Sequence, residues 1–404
     1  MARYVVTTFR FRQLSTTSLL ITRQQIEIKT MNFQQPNTTI STRELRLLIE
    51  DHLKALWEEK SFLSTQYAQA ANLIPPLMIW GAPGVGKSTL IRELAQSMNI
   101  GFIDVRLAQR EPVDMRGLPV PDQDSVKWLV SAEWPRDPQS RGIILFDELT
   151  AADKTLQVAA YEFILDRRLG DLYRVPPGWY IVAAGNRVED RAVSCSMSSA
   201  LANRFMHVEV KADAESFLLW AVENNLHPAV INFIRYRPQL LFSQDSENLQ
   251  RGWPSPRSWE RVSTVLKIAD QYDHHELLGY SIPGLIGEGA ATEFLAFYKN
   301  MFFFQRNQDI RQQLLKGYDI QVPRHPDQLY ACCSAISYYM EVEEDKSSFQ
   351  CMTGSFLRFS LKLTSDFATM LMSDVLHRLK NTPKVQVILQ HPLYSEWQKQ
   401  HGVR

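Results

Sequence analysis

The sequence lacks the features that would place it in a membrane, a disulfide framework or a general nucleic-acid complex. Its four cysteines, Cys195, Cys332, Cys333 and Cys351, form no C-x-x-C pair, so neither a zinc knuckle nor a disulfide scaffold is indicated. Such usage fits a reduced, cytoplasmic compartment. No apolar run approaches the ~18 residues that a membrane-spanning helix needs. Neither sign of charge is in excess: 44 basic and 44 acidic side chains cancel. That removes any general electrostatic drive toward nucleic acid or lipid, although a local basic groove stays open. The chain has no N-K-x-D sequence for reading guanine, and no helix-turn-helix or zinc module. His274-His275 and Cys332-Cys333 are poor metal ligands, because adjacent residues rarely share one ion and no Asp/His spacing supports them.

The chain has enough apolar residues for a sizeable core, 45% of 404, and its length suggests two or three domains. The strongest local signal is Gly81-Ala82-Pro83-Gly84-Val85-Gly86-Lys87-Ser88, which fits G-x-x-x-x-G-K-[ST] at every fixed position. The apolar run Pro76–Trp80 leads into it, and Thr89–Gln96 follows with helical spacing. Strand, glycine loop, helix is the context this motif requires. The glycines let backbone N–H groups aim at phosphate oxygens, and the helix N-terminus adds its positive dipole end. In that setting Gly81–Ser88 and Thr89 bind a nucleoside triphosphate: Lys87 reaches its β- and γ-phosphates, and the Ser88 hydroxyl ligates Mg²⁺.

Downstream, Gly101–Val105 reads as a second strand. A Pro- and Gly-punctuated segment, 111–138, follows, with Met115–Pro121 and Val126–Val130 able to pair as a hairpin arm. Trp128 and Trp134 within it favour function over disorder. Gly142–Phe146 is apolar enough for a strand buried on both faces. It delivers Asp147 and Glu148 to the carboxyl edge, where α/β sheets hold ligands. Asp147 there suits Mg²⁺ bound through water, and Glu148 suits the base that polarises an attacking water. Asp153 caps a helix with apolar residues at Leu156, Ala159, Ala160, Phe163 and Ile164. A short hairpin turns at Gly170-Asp171. Trp179–Ala184 is another buried strand, and its end presents the amide of Asn186 to the same edge. Met206–Val210 closes the sheet. Ser255 caps a helix with Pro256 at its first position, which puts Arg257 in the first turn.

Taken together, these elements resemble the AAA+ ATPase superfamily, and within it the MoxR-like group, over about residues 41–270. The resemblance rests on residues 81–88, on Asp147-Glu148, on Ala-Ala-Gly-Asn186, on Leu-Ala-Asn-Arg-Phe205 and on Pro-Ser-Pro-Arg-Ser-Trp259. It implies an α/β fold: a three-layer αβα P-loop core with a parallel sheet, a helical lid and an additional, mostly helical C-terminal region. The expected division is a disordered or targeting-like tail over 1–40, the core over 41–212, the lid over 213–280, and 281–404, whose role the residues do not indicate. The tail has a transit-peptide composition. A plain disordered tail, or initiation at Met31, accounts for it without an organelle. Folded structure is expected from Ser41, where Ser41-Thr-Arg-Glu44 makes a capping box.

By position, the resemblance makes Asn186 the sensor 1 residue, Arg204 an arginine finger reaching a neighbouring subunit's site, and Arg257 the sensor 2 residue. Arg187 and Arg191 are further candidates for the contact in trans. The segments 111–138 and 167–177 match the two MoxR-type insertions, which face the ring pore and touch clients. The implied function is ATP hydrolysis with Mg²⁺ in a homo-oligomeric ring of six that remodels a protein client. The implied partner is a separate protein with a von Willebrand factor A (VWA) domain. The other readings are a nucleic-acid motor or loader, against which the neutral charge counts, and a nucleotide-gated switch with little turnover, against which the intact set of site residues counts.

Overall fold

The computed structural model describes residues 38–58, 73–187, 197, 199–243, 252–306, 308–380 and 382–402. The tail as far as residue 37, and Arg191, lie outside them. The chain forms β1 (Thr39–Ile40), β2 (Leu77–Trp80), β3 (Gly101–Arg106), β6 (Gly142–Asp147), β9 (Trp179–Gly185) and β10 (Met206–Val210) as one six-stranded sheet of order β1-β10-β2-β9-β6-β3. Every pairing in it is parallel. Met206–Val210 was expected to close the sheet. Instead β1 (Thr39–Ile40), just before the Ser41 capping box, pairs beyond it.

Strand alternation splits the apolar residues between two layers. Leu77, Ile79, Ile143, Leu145 and Val182 pack with Leu45, Ile49 and Leu53 of α1 (Thr42–Trp57) and Ile91 and Leu94 of α2 (Lys87–Ser97). Met78, Ile144, Phe146, Ile181 and Ala183 pack on the other side, with Leu156, Phe163 and Ile164 of α4 (Lys154–Asp166). The sheet is therefore covered on both faces, which explains why β6 reads as an unbroken apolar run. The order has a functional consequence. β9 lies between β2 and β6, so Gly81, Asp147 and Asn186 emerge side by side at the carboxyl edge.

Two small hairpins project from this core. After α3 (Pro112–Arg116), β4 (Leu118–Asp122) pairs antiparallel with β5 (Ser125–Leu129), Leu118 opposite Leu129. The two tryptophans of this segment have different roles. Trp128 is 41% exposed on the hairpin, whereas Trp134 is 2% exposed and anchors the segment against Phe163, with ring centroids 4.5 Å apart. The second hairpin joins β7 (Arg168–Leu169) to β8 (Tyr173–Arg174). Its base is held by Arg167, whose guanidinium donates to the Pro176 and Trp179 carbonyls at 3.1 and 2.7 Å.

Beyond Val210 the described structure is helical. After α5 (Ser199–Ala202), which precedes β10, helices α6 (Ala214–Glu223), α7 (Pro228–Tyr236), α8 (Pro256–Tyr272), α9 (Leu278–Ile286) and α10 (Glu288–Arg306) come first. A core from Phe217 to Met301 unites α6–α10 around Phe233, Trp259 and Phe294. Helices α11 (Gln308–Lys316), α12 (Pro326–Val342), α13 (Lys346–Leu361), α14 (Ser365–Arg378), α15 (Lys384–Leu389) and α16 (Pro392–His401) build another core around Met340, Phe356 and Leu371. The expected fold class, a parallel-sheet α/β core followed by a lid and a helical C-terminal region, is the observed one. Among the described residues no helix is long and apolar enough to cross a membrane.

Candidate functional site

The loop between β2 and α2 owes its shape to glycine. Gly84 has φ +85° and Gly86 φ +97°, values that side chains with a Cβ rarely adopt. Gly84 also needs the space: a Cβ there would lie 2.9 Å from Ser255 Oγ. Lys87 opens α2 and is buried. Its Nζ donates to the Gly81 and Ala82 carbonyls at 2.6 and 3.1 Å, and to Asn186 Oδ1 at 3.2 Å. A buried ammonium must be matched by acceptors, and here the backbone loop and the end of β9 supply them.

The next residue, Ser88, donates its hydroxyl to Asp147 Oδ2 at 2.6 Å. Asp147 Oδ1 accepts from the Glu148 backbone N–H at 2.9 Å. Glu148 itself has φ +57° and an exposed side chain. A glutamate in the left-handed region stores backbone strain of about 1–2 kcal/mol, and here that turn swings the carboxylate out of the strand. The structure thus brings Lys87 to Asn186 and Ser88 to Asp147, two hydrogen-bonded pairs on consecutive residues of the loop, with Glu148 adjoining the second.

The lid closes one side of the loop. Ser255 caps α8 by accepting from Ser258 N–H, and Pro256 occupies the first helical position. Arg257 then donates its backbone N–H to the Gly84 carbonyl at 3.2 Å, while its side chain is exposed. Between this helix end, α1, α2 and α6 lies a cavity of about 640 Å³, lined in part by Gly86, Thr89, Phe217, Trp220 and Arg257. At its wall the Trp220 indole N–H is shared by both carboxylate oxygens of Glu93, at 3.1 and 3.0 Å. Burial pushes the Glu93 carboxyl above the usual range, more than the Trp220 bond lowers it; Glu260 and Glu223 add to the rise and Arg46 opposes it. Reading the sequence missed this contact. The one available signal was the i, i+4 placement of Thr89 and Glu93 on one face of α2.

The remaining arginines are placed differently. Arg204 is exposed in the turn between α5 and β10, and no hydrogen bond or ion pair joins it to the loop residues among the described residues. Arg187 donates to Glu209 on β10 at 2.5 Å, so it is engaged within its own chain. Arg191 is outside the described residues.

Which groups would suit Mg²⁺ follows from donor chemistry. Among the described residues no set of three His, Cys, Asp or Glu side chains is gathered. The Ser88 hydroxyl beside the Asp147 carboxylate is instead a pair of hard oxygens. That pair suits an ion which keeps most of its shell as water and substrate phosphate.

Residues 76–207 match the model of the ATPase family associated with various cellular activities (AAA). Midasin of Giardia intestinalis is 27% identical over 128 residues, which is 29% of this chain; the chain covers 3% of midasin's length. Among solved structures, NtrX from Brucella abortus aligns with a TM-score of 0.32 and 14% identity, covering 83% of this chain and 73% of that one. The RuvB Holliday junction branch migration motor of Thermotoga maritima aligns with a TM-score of 0.34 and 13% identity, covering 68% and 75%. The chain therefore carries, over residues 76–207, an ATPase domain of the AAA family.

Proposed function

We propose that this chain hydrolyses ATP with Mg²⁺ as a MoxR-like AAA+ machine, working in a ring of six to remodel a protein client. The observation that carries this reading is the two bonded pairs Lys87–Asn186 and Ser88–Asp147 at adjacent strand ends, beside a cavity roofed by the Arg257 helix. Triphosphate oxygens entering the glycine loop take over Lys87 from the Gly81 and Ala82 carbonyls. The nucleoside occupies the cavity between α2 and the lid. Arg257, exposed at the first turn of α8, moves with the lid onto the phosphates. Ser88 and, through water, Asp147 would hold Mg²⁺, which would supply positive charge against the β- and γ-phosphates. Glu148 takes a proton from the attacking water, and Asn186 orients that water. Arg204 of a neighbouring subunit stabilises the charge on the transferring phosphoryl group.

Client contact is supported by the β4–β5 hairpin, which holds Val126 and Trp128 in solvent, 59% and 41% exposed. A separate VWA-domain partner and a cytoplasmic setting belong to the same reading. Glu148→Gln tests it. The variant should bind ATP with wild-type affinity and hydrolyse it about 10²- to 10⁴-fold more slowly, the range for losing a general base. Undiminished turnover would remove Glu148 from the mechanism. The same variant, loaded with ATP, should hold the client and the VWA protein through a pull-down.

A further inference from the structure

The turn that carries Arg204 is more tightly built than an exposed surface turn needs to be. The Ala202 carbonyl accepts the Phe205 backbone N–H at 3.2 Å, closing a turn with Asn203 and Arg204 at its tip. The same carbonyl is engaged a second time, by His207 Nε2 at 2.7 Å. Phe205 is buried, and its ring meets the His207 ring at 6.2 Å, edge to face. His207 is itself fixed from the other side. Its Nδ1 accepts the indole N–H of Trp80 at 2.9 Å, and the two rings lie within 16° of parallel with centroids 6.0 Å apart. One tautomer satisfies both bonds: Nδ1 bare toward Trp80, and Nε2–H donating to Ala202. Trp80 is the last residue of β2, directly before Gly81. A continuous chain of contacts therefore runs from the start of the phosphate loop, through Trp80 and His207, to the turn that presents Arg204.

We propose that His207 is a positioning residue for Arg204, holding its turn in the geometry that serves a neighbouring subunit's site, and that Trp80 ties that geometry to the phosphate loop of its own subunit. This rests on the reading of Arg204 as the residue that completes a site in trans. An arginine aimed at a developing charge works only if its backbone is held in place. A displacement of about 1 Å lowers turnover by about 10²-fold. The Arg204 side chain is exposed, so its aim depends on the turn beneath it. Phe205, buried in that turn, and His207, bonded on both sides just beyond it on β10, are its anchors.

Subunit mixing separates this role from a structural one. His207→Leu removes both hydrogen bonds. It should lower kcat by about 10- to 100-fold, while fluorescent ATP-analogue affinity stays within about twofold, because uniform binding is untouched. Its own phosphate loop remains competent. Mixing it with Lys87→Ala subunits, which lack the loop lysine but keep the turn, should therefore restore turnover above either variant alone. An Arg204→Ala plus Lys87→Ala mixture is the control. If the control recovers and the His207→Leu mixture does not, His207 acts on its own subunit's site and the proposal falls. If the control itself fails, the reading of Arg204 in trans falls, and this proposal with it. His207→Gln, whose amide nitrogen can replace Nε2 as donor to Ala202, should keep most of the activity. Equal loss in the Gln and Leu variants would overturn the assignment even where His207→Leu folds poorly. Trp80→Phe keeps an aromatic ring at this position and loses the N–H, and it should show a milder loss that is rescued by the same mixing.

Discussion

At the scale of single residues, the loop is shaped as much by what it excludes as by what it holds. Gly84 combines a left-handed backbone with the close approach of Ser255 Oγ, 2.9 Å from where a Cβ would stand. Its carbonyl accepts the Arg257 backbone N–H. Gly84→Ala should therefore destabilise the protein by about 1–2 kcal/mol from backbone strain alone, and it should also push the cap of α8 away from the loop. The expected outcome is a lower Tm together with weaker ATP binding, read by calorimetry on the same sample. A loss of stability with unchanged affinity would mean that the lid contact at Gly84 does not govern the site. These residues were legible in the sequence because their partners are close along the chain: Gly84, Lys87 and Ser88 belong to one eight-residue motif. Glu148 was legible as a residue but not as a conformation, since nothing in Phe-Asp-Glu-Leu announces a glutamate at φ +57°.

At the scale of elements, the lid meets the core at α8 and again at α6. The α6 contact is the Trp220–Glu93 bond, between residues 127 apart in the sequence. The Trp80–His207 bond spans the same separation. Neither was readable from pattern. The first needs α6 folded onto α2, and the second needs β10 placed next to β2, a neighbour relation that strand periodicity does not encode. The helices and strands themselves were readable. Ser41, Asp153 and Ser255 each accept the backbone N–H expected of an N-cap, and α4 shows its apolar stripe directly. The Glu93 contact also has a signature in pH. Because burial raises its carboxyl above the ordinary range, the folded state takes up a proton more readily than the unfolded chain. The sign follows: Glu93 contributes most below the unfolded carboxylate value of about 4.3, and that contribution is lost as pH rises through the raised folded value. Glu93→Gln keeps an oxygen for Trp220 and has no charge to desolvate. The Tm of wild type relative to Glu93→Gln should therefore fall as pH rises from the unfolded carboxylate value of about 4.3. A flat difference would show that burial does not penalise this carboxylate.

At the scale of the whole molecule, the described candidate residues occupy two separate locations. Lys87–Asn186 and Ser88–Asp147 form two bonded pairs side by side, and the backbone of Arg257 in the lid is joined to the same loop at Gly84. Arg204 stands apart, exposed on a braced turn with no bond to those pairs among the described residues. A stiff, solvent-facing arginine makes chemical sense if another molecule's site comes to it, because side-chain entropy is then the main cost left at contact. Turnover per chain should in that case depend on concentration. On dilution through the range where rings dissociate, wild-type activity per chain should fall cooperatively. Arg204→Ala should show a low residual activity that is insensitive to dilution, about 10³- to 10⁵-fold below the wild-type plateau, as for loss of an arginine finger. ATP hydrolysis assayed across a dilution series, alongside light scattering to follow assembly, checks both. If wild-type activity per chain stays constant while the assembly falls to monomers, the site is complete within one chain, and Arg204 has no part in a neighbour's chemistry.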